Sequence, residues 1–457
     1  MNTSPSSEEK LDFKRIMPIF VIVLIDLLGL TIIIPLLPLY ATSFGADALT
    51  IGFLGAAYPL MQFIGAPLLG RLSDRYGRKP VLVVSQIGTL IGFLVLGFAN
   101  TLWALFLARI IDGLSGANIS TAQAAIADST TEKTRTQGLG LLGAAFGLGF
   151  IIGPIIAVIA LAVSNNNYAV PAFVAAGFSL ISILLTWFWL PETLSAERRG
   201  VASTNKPAFS FGALFQALAH PQVGLLLILI FAQQIAFGGY EQLFSLFTLN
   251  RLGLNASGNG VVFVFIGLIV VAVQGGFIGP WSRRFGDRRL VYFGLGALAV
   301  GLVLTALTPA QPVPWYSRAA LETELSARAT TETITMPTAL PADNANGWLG
   351  LAWILLASIP ASIGGGILQP SINSLITKRI EPQEVGGMLG ISASLLSGAN
   401  ALAPLLGGAI FQWIGSSGPF LIGGVVLALL LLAALQMIKP GREETAPAGL
   451  ARGGGGH

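Results

Sequence analysis

Gly70-Arg-Leu-Ser-Asp-Arg-Tyr-Gly-Arg-Lys-Pro80 is a short basic stretch between two long apolar runs, and Gly279-Pro-Trp-Ser-Arg-Arg-Phe-Gly-Asp-Arg-Arg289 repeats its pattern 209 residues later. Gly70 aligns with Gly279 and Gly77 with Gly286, and nearly the same shift relates Gly45 and Gly52 to Gly253 and Gly260. Gly138 aligns with Gly387 at a shift of 249, so about 40 residues have entered the second copy, the length of the polar stretch 310–347. Segments matched at a fixed offset mark an internal repeat. Here they imply two parallel halves.

A bilayer-crossing helix needs about 20 predominantly apolar residues. Such runs are read at 16–40, 51–70, 80–99, 102–126, 137–162, 168–190, 223–249, 259–281, 290–309, 348–376, 385–412 and 417–438. They are too long and too weakly alternating for barrel strands, and a helix satisfies its own backbone in hydrocarbon. Composition agrees: only 10% of residues are charged, against about 25% in soluble chains. The expected fold class is an all-α membrane protein with twelve transmembrane helices in two pseudo-symmetric six-helix bundles. The expected segments are a tail at 1–15, a first bundle at 16–190, a linker at 191–222, a second bundle at 223–438 and a tail at 439–457. The first run is longer than a signal-peptide core and lacks a small-residue cleavage site, so it is expected to remain as the first span.

Orientation follows from the basic residues. With the N-terminus inside, 21 of the 25 Lys and Arg fall in cytoplasmic segments, which places both termini in the cytoplasm. The stretch 310–347, with Glu322, Glu324, Glu332 and Asp343, is then an external loop. It reads either as a tolerated insertion or as a small lid.

Several function classes drop out. There is no Cys and His occurs only at 220 and 457, so thiolate or histidine metal centres and disulfides are not expected. Gly138-Leu-Gly-Leu-Leu-Gly143 fits a dinucleotide fingerprint but opens a spanning run with no strand before it. The scattered basic clusters are no nucleic-acid footprint. No nucleophile–base constellation appears, so an enzyme is not expected, and no cofactor.

Charges inside hydrocarbon are costly and informative. Four occur: Asp26, Arg109, Asp112 and Glu241. Arg109 and Asp112 are three apart and share a helix face, either as a breakable pair facing a wet cavity or as a static buried salt bridge. Asp26 precedes Gly29 and Pro35, which weaken the first span, and serves either proton or cation binding or a lock on that helix. Glu241 follows Gly238-Gly239, a flexible point, and reads as a binding group or as a solvated residue near the outer interface. Gln62, Asn118, Gln123, Gln234, Gln274, Gln369, Asn373 and Asn400 are candidate cavity groups, each otherwise an interhelical hydrogen bond. In the basic loop, Asp74 suits a helix cap, Arg75 and Arg78 lie at the surface, and Asp128 at the inner end of the fourth span is placed to pair with Arg78. Gly149 and Gly153 permit close helix contact, and Pro154 permits a bend.

The 70–80 stretch, between spans two and three, resembles the best-known motif of the major facilitator superfamily. Asp26-x-x-Gly29 with Pro35-x-x-Pro38 resembles the first-helix motif of its twelve-helix drug:proton antiporters, and Gly149-x-x-x-Gly153-Pro154 is similar to the antiporter motif. Arg109 to Pro154 most resembles tetracycline-efflux-like members. The likeness covers about residues 14 to 440 and departs at the insertion. Two further departures are Asp112 in Arg109-Ile-Ile-Asp112-Gly113, where the family usually has Gln, and Ala157, where Gly is frequent.

The resemblance implies that the loop carrying Gly70, Asp74, Gly77 and Arg78 is a gate, with Asp74 docking on the eleventh helix when the outer side is open. It implies that Gly149, Gly153 and Pro154 form a leak-preventing hinge. The expected activity is proton-driven efflux of small, largely lipophilic molecules by a monomer in a bacterial inner membrane, with small-molecule substrate, protons and lipid as partners. An importer, symporter or facilitator of the same fold is the alternative, and a non-transporting receptor or scaffold a more distant one.

Overall fold

The structure, a computed structural model, describes residues 12–116, 118–130, 134–195, 199, 211–326, 340–343, 345–381 and 385–438. Twelve helices long and apolar enough to cross a membrane account for most of it. We number them α1 (Phe13–Ile33), α2 (Ala48–Tyr76), α3 (Arg78–Gly97), α4 (Leu102–Asp128), α5 (Arg135–Val163) and α6 (Ala169–Phe188) in the first half. The second half has α7 (Gly224–Leu252), α8 (Ala256–Phe285), α9 (Asp287–Ala306), α10 (Leu349–Arg379), α11 (Val385–Ile414) and α12 (Gly418–Met437). Most helix-to-helix packing runs within each half: α1 on α5 and α6, and α3 on α4 and α6, are matched by α7 on α11 and α12, and α9 on α10 and α12.

Several helices outrun the apolar stretch that identifies them. α2 continues through Arg71-Leu-Ser-Asp-Arg-Tyr76 because helical hydrogen bonding does not end where hydrophobicity does. It stops at Gly77, whose φ of +110° is a backbone that L side chains rarely adopt. Gly286, at φ +79°, ends α8 in the repeat-related position. Conversely, the first run does not make one helix. Pro35 and Pro38 interrupt it, and the chain resumes as a short helix, Leu37–Thr42. Phe98, Trp103, Val163, Phe188 and Trp413 are each more than 70% exposed, an apolar outer surface suited to lipid rather than water.

The two halves meet mainly through α2 on α11 and α5 on α8. The contact is tightest towards the end of the molecule that carries the insertion, hereafter the insertion end. A Cβ on Gly52 would lie 2.4 Å from the Pro404 carbonyl oxygen, and one on Gly408 would lie 2.6 Å from that of Ala48. On the other pair, Gly260 abuts Val158 and Gly267 abuts the Phe150 carbonyl. The Ser245 hydroxyl on α7 donates to the Pro35 carbonyl at the break after α1, at 2.9 Å. At the opposite, basic end, Gly70, Gly275, Gly276 and Gly390 have nothing within 4 Å of an added Cβ. Among the described residues the close contacts between the halves lie towards the insertion end.

Gly52→Val is expected to disfavour this closed arrangement by about 1–3 kcal/mol, since backbone rather than a flexible side chain opposes the new atoms. The chain has no cysteine, so a single Ser245→Cys, buried at the closed end, reports the change as faster maleimide labelling. Unaltered labelling would mean that α2 and α11 do not meet as described.

Candidate functional site

The first half holds a polar cluster at a break in α4. That span is two helices, Leu102–Ser115 and Asn118–Asp128, and the step between them leaves carbonyls without helical partners. Irregular backbone at membrane depth is tolerated where other groups satisfy it or where it lines a cavity. Both conditions hold. The Gln62 amide on α2 donates to the Gly116 carbonyl at 2.7 Å, and the Ser85 hydroxyl on α3 donates to that of Ser115. Gly116 and Asn118 line a cavity with Asp26, Leu27, Leu30, Tyr58, Thr89, Phe93, Asp112 and Ile119.

Asp26 projects from α1 into this cavity, and its Oδ2 accepts from the Asn118 amide. Asp26 Oδ1 and Asn118 Oδ1 are buried with no protein donor among the described residues. Behind them, Arg109 and Asp112, only 4% and 3% exposed, form a direct ion pair on α4. Thr89 on α3 lines the same cavity as Asp112. The guanidinium lies over the Tyr58 ring, 4.8 Å from its centroid, in cation–π geometry. Gly92 on α3 gives the pair its room, because a Cβ there would come within 2.9 Å of the Asp112 Cβ. Asp112 is thus held by a cation, whereas Asp26 is held by a neutral amide. One cavity contains two carboxylates with unequal partners, the arrangement needed to take up and release a proton or a cation.

The second half contributes less charge. Gln234 on α7 donates to Asn400 on α11 at 2.7 Å, and Gln233 donates to Gln234. Gln234, Gly238, Glu241 and Ser245 recur at helical spacing on one face of α7. Its neighbours on that face are α11 at Asn400 and Ala403, and the α1 break at Pro35. Glu241 is half-buried on this inter-half face. Gln274 lies in a π-helical turn of α8, Ala272–Phe277, and donates to the Gly366 carbonyl at 3.4 Å. Asn373 on α10 accepts from Ser392 on α11. Gln369 is half-buried and Gln123 exposed, and neither lines the Asp26 cavity.

At the basic end, Arg78 donates to Asp74 at 2.6 Å, to Ser73 at 2.7 Å and to Asp128 at 2.9 Å. The side chain of Asp74 is largely exposed, and the first side chains of α11, where docking is expected, lie outside the described residues. Arg75 lies over the neighbouring Tyr76 ring. Glu192, just past α6, caps the start of α3 by accepting from the backbone N–H groups of Arg78 and Lys79. The repeat-related corner inverts the charges. Asp287 stands where Arg78 does, accepting from Ser282, from Ser374 at 2.5 Å and from Lys378 on α10 at 2.6 Å. Ser73 and Ser282 hold the same place with opposite roles, the first accepting from Arg78 and the second donating to Asp287.

Gly149 and Gly153 seat α5 against α1 within the first half, where a Cβ on Gly153 would lie 2.2 Å from the Thr31 hydroxyl. Contact between halves is made by the adjoining face, through Phe150, Val158 and the Pro154 carbonyl against α8. Tyr58, Thr89, Ser85 and Glu192 were not among the sequence candidates. The run Asp112-Gly-Leu-Ser-Gly116 followed by Asn118, dense in helix-breaking residues, is the one sequence signal for the α4 break.

A family profile described as Major Facilitator Superfamily matches residues 19–339 and 333–454. The class B tetracycline resistance protein of Escherichia coli is 30% identical over 432 residues, covering 92% of this chain and 95% of that protein. Multidrug resistance protein 2 of Bacillus subtilis (strain 168) is 26% identical over 435 residues, 94% and 97% of the two chains. The crystal structure of the human organic anion transporter MFSD10 (TETRAN) superposes with a TM-score of 0.63 at 22% identity, over 93% of this chain and all of that one. At that identity the superposition speaks for the fold alone.

Arg109→Leu strands Asp112 and is expected to cost about 3–5 kcal/mol of stability, while Arg109→Leu with Asp112→Leu recovers most of the loss. Thermal unfolding in detergent checks this. Equal losses in the single and double variants would mean that the pair is not coupled.

Proposed function

The chain belongs to the major facilitator superfamily, and from that premise we propose that it exports small, largely lipophilic organic molecules in exchange for protons, by alternating access. It is an integral multi-pass membrane transporter of the tetracycline- and multidrug-efflux-like kind. The sidedness, the coupling ion and the cargo are the proposed part. The distribution of Lys and Arg supports a cytoplasmic basic end, and the proposed location is a bacterial inner membrane. In this reading the described arrangement, shut at the insertion end, is open to the cytoplasm.

One observation carries the reading: Asp26 and Asp112 line a single cavity, the first bound by a neutral amide and the second by Arg109. In the proposed cycle cargo enters from the cytoplasm between the halves. The halves then rock, and the cavity faces outward. Protonation of Asp26 weakens its hold on Asn118, and protonation of Asp112 frees Arg109, so each proton alters contacts between α1, α3 and α4. Loss of the protons to the cytoplasm restores the pairs. In this reading Gln234, Asn400 and Glu241 on α7 and α11 offer polar groups from the second half, and the apolar majority suits lipophilic cargo. The proton gradient is the energy source and no cofactor is invoked.

The test uses protein reconstituted in liposomes with an imposed pH gradient and a panel of lipophilic drugs. Acid on the trans side should accelerate uphill transport, and Asp26→Asn or Asp112→Asn should lower that gradient-driven flux by about 10²-fold or more, the scale of a lost proton-transfer group. Flux indifferent to the gradient would end the proton claim. Accelerated counterflow with no uphill movement would make the protein a facilitator.

A further inference from the structure

The 310–347 insertion has no counterpart in the first half, and its described part is folded onto the second. Val313 N–H donates to the Leu252 carbonyl at the end of α7, Gly347 N–H donates to that of Pro312, and Tyr316 packs so closely on Gly253 that a Cβ there would lie 2.1 Å from its ring. Arg318–Ser326 is a helix whose Leu321 and Leu325 are buried in the main core. Its Glu324 then reaches across the division between halves. The carboxylate accepts from the Asn166 amide at 3.1 Å and the Tyr168 hydroxyl at 3.3 Å, both of the α5–α6 connection in the first half. It also accepts from the Asn255 amide at 3.1 Å, at the start of α8 in the second. Ser257 on α8 donates to Asn166 at 2.7 Å, adding a parallel tie.

The geometry of the receiving loop supports a dedicated role. Asn165 and Asn166 both have positive φ, 52° and 60°, a conformation that asparagine adopts more readily than other non-glycine residues. Tyr168 is itself only 3% exposed and stacks on Tyr40. Burial pushes the Glu324 carboxyl above the usual carboxylate range, against the pull of the three donors. Among the described residues this one carboxylate accepts from all three groups.

We propose that Glu324 is a latch: the insertion clamps the two halves together at the insertion end, and release of Glu324 from Asn166 and Tyr168 is required each time that end opens. The proposal rests on the alternating-access reading only for its place in a cycle, because the clamp itself is a property of this closed arrangement. The described part of the insertion is anchored on the second half through Val313, Tyr316, Leu321 and Leu325, so opening breaks the contacts to the first half and leaves the Asn255 contact intact.

The test measures maleimide labelling of Ser245→Cys in the full-length protein in lipid nanodiscs, without substrate or gradient. Glu324→Ala should speed labelling about tenfold, the equivalent of one charge-assisted hydrogen bond. Tyr168→Phe, which removes a single donor and leaves the carboxylate in place, should speed it by about threefold. Glu324→Gln keeps an acceptor oxygen and should rise less than Glu324→Ala. Labelling unchanged in both Glu324→Ala and Tyr168→Phe overturns the latch, as do equal rises in the alanine and glutamine variants. These outcomes stand apart from transport: absent flux with altered labelling would sink the exporter reading alone, and normal flux with unaltered labelling the latch alone.

Discussion

An ionised side chain away from water must find a partner or lose its charge, and the first half is organised around that requirement. Three of the four charges within the spans lie in its α1 and α4. Arg109 and Asp112 neutralise each other, while Asp26 leans on a neutral amide. To bring these groups together, α4 gives up helical continuity, and Gln62 and Ser85 take over the carbonyls thus freed. The interruption is local because those two side chains cover it. Without them, unsatisfied backbone at this depth would cost several kcal/mol per group.

Closure at the insertion end follows from where small residues fall. Gly52 with Gly408, and Gly267 against Phe150, let backbones of opposite halves come close, and Gly260 makes room for Val158. The glycines of the antiporter-like stretch do something different. They bind α5 to α1 inside one half, and so make the face carrying Phe150 and Val158 a rigid continuation of the helix that bears Asp26. α8 thus packs on a face of α5 that adjoins the helix bearing Asp26.

Hydropathy alone yields the number of spans, because each run is long and separated by polar residues, and the internal repeat yields the two-bundle plan. It does not locate helix ends, since α2 and α10 continue as amphipathic helices in polar surroundings. It also hides the break in α4, where apolar residues continue across a backbone that does not. The in-membrane charges were legible because each is improbable in hydrocarbon. Tyr58 and Thr89 were not, because an aromatic or a threonine in a spanning helix is ordinary until a neighbour on another helix gives it a task. Gln123 shows the reverse: a polar residue in a span whose side chain stands away from the cavity. The capping role of Glu192 depends on a contact 114 residues distant, which no local pattern encodes.

The inverted corners at the basic end set a limit on how alike the halves can remain. Arg78 is read by Asp74 and Asp128, and Asp287 by Lys378, on frameworks that share a left-handed glycine and a serine. Transplanting the 279–289 loop into the first half would set Asp287's carboxylate against that of Asp128, two like charges within bonding range and little water between them. The duplicated segments have thus become non-interchangeable parts: descent from one ancestral unit is still visible in their backbone, while each corner's polarity now admits only its own partner.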